Sequence, residues 1–282
     1  MQHNFTRGAV ANKQTRFLSD DDLRTLAPSV FAESPHSARS ERYSFIPTIA
    51  VVQAMRSEGF QPVKVTTSRV RDNDKAGFEK HMIRFRRSEG TLHVGDVFPE
   101  VVLVNSHDGS TSYNLLAGLF RLACSNGLVV ATDELAECRI RHKGNVVEDV
   151  IESSYRVLQE SNLALEKSQE WGLIELKPQE QQALAVAAHQ VRFGDSEGTI
   201  TTPIKPEQLL NPRRLDDDRN DLWTTFNRIQ ENAVMGGLRG VGIGSNGRRR
   251  RTTSKEVKAI DGNINLNKAL WILADAMAKA KG

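Results

Sequence analysis

Three short stretches decide the fold: Val63-Lys64-Val65-Thr66-Thr67-Ser68-Arg69-Val70, His81-Met82-Ile83-Arg84-Phe85-Arg86-Arg87 and Glu100-Val101-Val102-Leu103-Val104-Asn105. The first two alternate with near period two, the pattern of half-buried strands. The third is almost wholly apolar, as a strand covered on both faces is. A polar turn from Asp72 to Gly77 separates the first pair. A helix precedes them: Pro47 suits a first turn, Ile49, Val52, Ala54 and Met55 supply apolar positions, and Gly59 ends it. A second helix is predicted over residues 112–124, where Leu115, Leu116, Leu119, Phe120 and Ala123 form an apolar stripe closed by Asn126-Gly127. Short strands come next at 128–130 and 138–140. The fold class is therefore α+β: a helix–three-strand meander–helix core with a mainly helical C-terminal half.

Working outward, residues 1–40 read as an N-terminal arm, 41–145 as the α+β core domain, and 146–282 as a mainly helical region with a Gly/Arg-rich loop at 236–258. Within the arm, Ser19-Asp20-Asp21-Asp22 caps a short helix that stops before Pro28. Residues 146–170 and 177–193 run long without interior Pro or Gly, and Pro178 fits a helix start. A helix over 221–234 ends at Gly236-Gly237, and a last one spans 266–280. On the former, Leu222, Trp223, Phe226 and Ile229 make a stripe expected to pack in the core. There is no internal repeat.

The 282 residues suffice for one large domain or two smaller ones, and 39% hydrophobic with 26% charged residues excludes wholesale disorder. Two cysteines, Cys124 and Cys138, make neither a disulfide framework nor a zinc quartet, and read as reduced thiols. Residues 1–18 hold no apolar leader and no stretch approaches about 18 consecutive apolar residues, so a cytoplasmic protein without a membrane partner is expected. The net charge of +3 identifies nothing alone, but bases cluster at 81–87 and 248–258, and acids at 20–22 and 216–221.

Gly236-Gly237-Leu238-Arg239-Gly240-Val241-Gly242-Ile243-Gly244 lacks the Gly-Lys-Ser/Thr ending of a triphosphate loop, and it follows a predicted helix, not a strand. It is expected to be a flexible loop that frees the neighbouring arginines. Arg248, Arg249, Arg250, Arg251, Lys255 and Lys258 place six positive charges within eleven residues, beside the hydroxyls of Thr252, Thr253 and Ser254. Six phosphate contacts on a single strand give a log-log salt slope of about −4. Alternation in the second strand puts Ile83 and Phe85 toward the core and Arg84 and Arg86 toward solvent, while Lys64, Thr66 and Ser68 share a face next door. The predicted DNA-binding set is thus Lys64, Arg84, Arg86, Arg248, Arg249, Arg250, Arg251 and Lys255. Tyr43, Phe45 and Phe60 are the only nearby aromatics, so base stacking has little support.

No catalytic residue, cofactor or metal is assigned. The turn Asn105-Ser106-His107-Asp108-Gly109-Ser110 holds a His and an Asp that, with His81 or His142, have the chemistry of a metal or general-base site. Asp-Gly is equally a tight-turn signal, with Ser110 or Thr111 capping the predicted second helix.

Four blocks, Glu41-Arg42-Tyr43-Ser44-Phe45-Ile46-Pro47-Thr48, Asn105 to Ser110, Phe120-Arg121-Leu122-Ala123-Cys124-Ser125-Asn126-Gly127 and Phe226-Asn227-Arg228-Ile229-Gln230-Glu231-Asn232, resemble a domain-of-unknown-function family carried by phages and plasmids. That resemblance covers residues 41–271 and implies a genomic setting without a reaction. The order helix, meander, helix, with Gly59-Phe60 feeding the first strand, is similar to the core of ring-forming single-strand annealing recombinases. It implies backbone binding in a basic groove around an oligomer, without nucleotide hydrolysis. The expectation is a single-stranded DNA-binding or annealing homo-oligomer; the rivals are an inhibitor that binds a host protein, and a metal-dependent enzyme using His107 and Asp108.

Overall fold

A computed structural model describes residues 16–35, 45–69, 74, 76–88, 97–122, 126–130, 138–140, 145–243 and 247–282. The chain forms two compact units, Met1–Leu165 and Glu166–Gly282. Among the described residues no helix is long and apolar enough to cross a membrane.

In the first unit, α1 (Asp20–Leu26) starts from a reciprocal cap, Ser19 Oγ accepting from Asp22 N–H and the Asp22 carboxylate accepting from Ser19 N–H. Helix α2 (Thr48–Ser57) follows Pro47 and stops at Gly59, whose φ of 82° suits glycine. An antiparallel meander then runs β1 (Phe60–Thr67), β2 (His81–Arg87), β3 (Val97–Asn105), β4 (Tyr113–Arg121) and β5 (Asn126–Val129), with β6 (Cys138–Ile140) also pairing β4. Helix α3 (Val146–Trp171) is anchored to the sheet at Ser161, whose Oγ lies 2.8 Å from Glu100 O and accepts from Gly118 N–H at 3.3 Å.

The α+β class and the mostly helical C-terminal half are as expected, but the helix predicted over 112–124 is strand β4. Its Leu115, Leu116, Leu119 and Phe120 suit one helical stripe and equally a strand buried on both faces. Pairing decides: β4 has β3 along one edge and β5 and β6 along the other. The helix that closes the three-strand pattern is therefore absent at that place, and the meander continues.

Arg84 and Arg86, expected on the solvent side of β2, do not face solvent. Both are buried and both bind Glu100, which is 0% exposed. Arg84 Nε donates to one carboxylate oxygen at 2.5 Å and Arg86 to the other at 2.6 Å. Strand alternation is right about the two faces of β2 and wrong about solvent, because β2 is covered on both. The second Arg84 nitrogen donates to the carbonyls of Leu119 (3.2 Å) and Leu128 (2.9 Å), bridging β4 and β5. The Arg86 guanidinium lies over the rings of the cross-strand neighbours Phe98 and Phe120, 4.8 and 4.7 Å from their centroids. Gly127 is in β5 and not a helix end. A Cβ there would stand 2.4 Å from the Arg84 guanidinium carbon, so glycine is required by close approach.

In the second unit, α4 (Pro178–Phe193), α5 (Leu222–Met235) and α6 (Ile260–Lys281) enclose Trp171, Phe226 and Trp271, with Trp171 and Trp271 ring centroids 4.4 Å apart. The predicted stripe on α5 packs in the core, yet α5 is buried on its polar side as well. Glu231 receives both Arg214 nitrogens, Asn232 donates to Leu209 O and Asn211 O, and Gln230 donates to Asn267 Oδ1. Every polar residue of that block has structural work of this kind.

Removing the Glu100 charge leaves two buried guanidinium groups without a counter-ion, which costs about 3–5 kcal/mol. Urea unfolding of Glu100→Gln should show that loss, and a loss below about 1 kcal/mol would refute the description of this cluster. Gly127→Ala should also destabilise, through displacement of Arg84, and its effect should be non-additive with Arg84→Met.

Candidate nucleic-acid interface

The stretch expected to be a flexible glycine loop is instead strand β7 (Arg239–Ile243), paired antiparallel with β8 (Arg249–Thr253). Its entry is built from α5 outward. Gly236 and Gly237 take φ of 65° and 82°, turning the chain back at the helix end. Gly237 N–H then donates to Ser254 O, and Ser254 N–H to Leu238 O, both at 2.8 Å. Arg192 clamps both sides of this base, donating to Ala233 O and to Lys255 O at 2.8 Å each. Gln208 Nε2 donates to Arg239 O at 2.9 Å.

The glycines inside β7 serve packing. A Cβ on Gly240 would lie 2.5 Å from Pro203 O, and one on Gly242 would touch the Pro203 ring. One face of the ribbon therefore rests on the 203–204 segment. By alternation, Arg239, Val241 and Ile243 lie on the other face, opposite Thr253, Arg251 and Arg249 in register. All six are exposed. A depression of about 560 Å³ is lined by Arg239, Gly240, Val241, Arg251, Thr252 and Thr253.

The hairpin and its exit thus bring together Arg248, Arg249, Arg250, Arg251 and Lys255 of the predicted set, all exposed. They gain Arg239, which sequence reasoning missed. The signal was present: Arg239, Val241 and Ile243 alternate with glycines, a period-two pattern hidden by the glycines' usual link to loops. Lys64 is exposed on β1 of the first unit, paired in register with buried Arg84. Of Lys64, Arg84 and Arg86, the predicted sheet track, it alone keeps a solvent-facing side chain.

Hydrogen bonds hold the His107–Asp108 turn in place. Asp108 Oδ1 accepts from Ser110 N–H at 2.9 Å. His107 is buried, and its Nε2 lies 2.9 Å from Thr48 Oγ1, which His81 Nε2 and Asn105 Nδ2 also approach, each at 3.0 Å. A hydroxyl offers one proton and two lone pairs, so one imidazole must donate to Thr48 and the other accept. His81 Nδ1 lies 3.3 Å from Glu79 O, a pure acceptor, and 3.0 Å from Ser29 Oγ. By proton count His81 carries its hydrogen on Nδ1, and His107 donates from Nε2. Both Nε2 atoms are engaged with Thr48. Among the described residues no three His, Cys, Asp or Glu side chains assemble as a metal site. His142 and Cys124 lie outside the described residues, and Cys138 is a free thiol.

Burial, with the neighbouring His107, lowers the His81 pKa from 6.5 to about 3. An unfolded chain takes up a proton near pH 6.5 that the folded chain refuses until about pH 3. Stability therefore falls with decreasing pH across that window, by up to about 1.4 kcal/mol per unit. Urea titrations at pH 7, 5.5 and 4.5 should show His81→Gln losing close to one proton's worth of this slope; parallel profiles would contradict it.

The family described as "Domain of unknown function (DUF932)" matches residues 35–271. Two Escherichia coli (strain K12) proteins, the UPF0380 proteins YafZ and YfjQ, are each 44% identical over 265 residues, covering 94% of this chain and 93% of theirs. No solved structure matches. With most of its length inside that match and two relatives at this identity, the chain belongs to the DUF932 family.

Proposed function

We propose that this protein binds nucleic acid through the β7–β8 hairpin. One observation carries it: Arg239, Arg249 and Arg251 stand exposed on a single face of a ribbon whose base is clamped by Arg192 and Gln208. Arg248 and Lys255 lie beside β8 and Arg250 on the other face of the ribbon, all three exposed. Exposed guanidinium groups on a fixed scaffold hold phosphates by paired N–H donors and need little ordering on binding. Annealing of single strands by an oligomer is the more specific form of this function. Its second basic track, on the sheet, has lost Arg84 and Arg86 to Glu100, so the hairpin alone supports it. Carriage on a phage or plasmid, as the sequence blocks imply, suits a DNA-handling protein.

Fluorescence anisotropy with labelled oligonucleotides across a salt series tests the proposal. Each lost phosphate contact should flatten the log-log salt slope by about 0.7 on a single strand or 0.9 on a duplex. Arg250→Ala/Lys255→Ala should therefore lose about 1.4–1.8 from the slope, and Arg249→Ala/Arg251→Ala at least tenfold in low-salt affinity, both with thermal unfolding unchanged. Absence of wild-type binding at micromolar protein in low salt, or an unaltered slope in the first variant, would remove the hairpin from this role.

A further inference from the structure

Resting on that assignment, we infer that the hairpin inserts into the major groove of duplex DNA, its outward face reading base edges. The outward face consists of three cross-strand pairs: Arg239 with Thr253, Val241 with Arg251, and Ile243 with Arg249. Each pair joins one guanidinium to one methyl-bearing side chain. Val241 and Ile243 are 53% and 80% exposed, apolar surface that a purely phosphate-binding ribbon has no use for. The two side-chain types match the two features found only on major-groove edges. Guanine offers O6 and N7 to a bidentate arginine, and thymine offers its methyl group to apolar contact. A two-stranded ribbon is also among the elements that groove admits. Successive pairs are about 7 Å apart along the ribbon, so each pair meets a different base step. Arg250 and Lys255, exposed and off the outward rows, meet the flanking phosphates, which position and do not specify.

A single strand is the poorer ligand for this surface. Stacking of unpaired bases needs aromatic faces, and β7 and β8 carry none. Duplex RNA is excluded by shape, because its major groove is too deep and narrow for side chains to read.

The test compares a labelled 20-base-pair mixed-sequence DNA duplex, its single strands, the same duplex with uracil for thymine, and the equivalent RNA duplex, all at one salt concentration. The duplex should bind at least tenfold tighter than either single strand. Uracil substitution should weaken it about fivefold, and duplex RNA should bind no better than single strands. Arg249→Lys/Arg251→Lys keeps the charge but loses the bidentate fork, so duplex preference should fall while the salt slope stays. Ile243→Ser should abolish the uracil effect. Equal or tighter single-strand binding, or indifference to the thymine methyl, overturns groove insertion and leaves nucleic-acid binding by the hairpin standing. No binding to any of the four removes both.

Discussion

A guanidinium taken out of water must find a carboxylate, and the sheet of the first unit is organised by that requirement. Glu100 sits in an otherwise apolar strand and accepts from Arg84 and Arg86 on the neighbouring strand. The pair of arginines then dictates what surrounds it: carbonyls of Leu119 and Leu128 for the remaining Arg84 donors, rings of Phe98 and Phe120 beside Arg86, and glycine at 118 and 127. Larger residues at those two positions would occupy the volume of the guanidinium. A buried ion cluster of this kind often contributes less to net stability than apolar packing would, and its hydrogen bonds link β2, β3, β4 and β5.

The same residue type meets the opposite solution in the second unit. On the β7–β8 hairpin Arg239, Arg249 and Arg251 are exposed, and hydrogen bonds and close packing hold the ribbon that presents them. Gly240 and Gly242 let it lie against Pro203, Arg192 ties its exit to the end of α5, and α5 is held by hydrogen bonds along its polar side. Arginine content alone therefore says little about function here.

Much of the fold is legible in the residues. Strand β2 can be read to the residue, and α1, α2, α3, α4 and α5 within a few positions, because periodicity and caps are local signals. Strand β4 cannot, since a continuous apolar run carries no period and only its partners reveal it as a strand. Exposure of Arg84 and Arg86 fails for a related reason: alternation gives two faces without saying that a second layer covers both. Glu100, isolated in the run from Val97 to Val104, is the available hint that cations lie nearby. The arginine run is visible because it is local, and the hairpin beneath it is hidden because its glycines imitate a loop. The four sequence blocks include Thr48, Asn105, His107, Gly127 and Glu231, and each of these takes part in packing or hydrogen bonding that only the fold reveals.

The most direct measurement is photo-crosslinking of the full chain to a bromouracil-bearing DNA, with the crosslinked peptides mapped by mass spectrometry. Adducts should fall within residues 239–255. Adducts concentrated on β1 and β2, or spread over both units without preference, would contradict it.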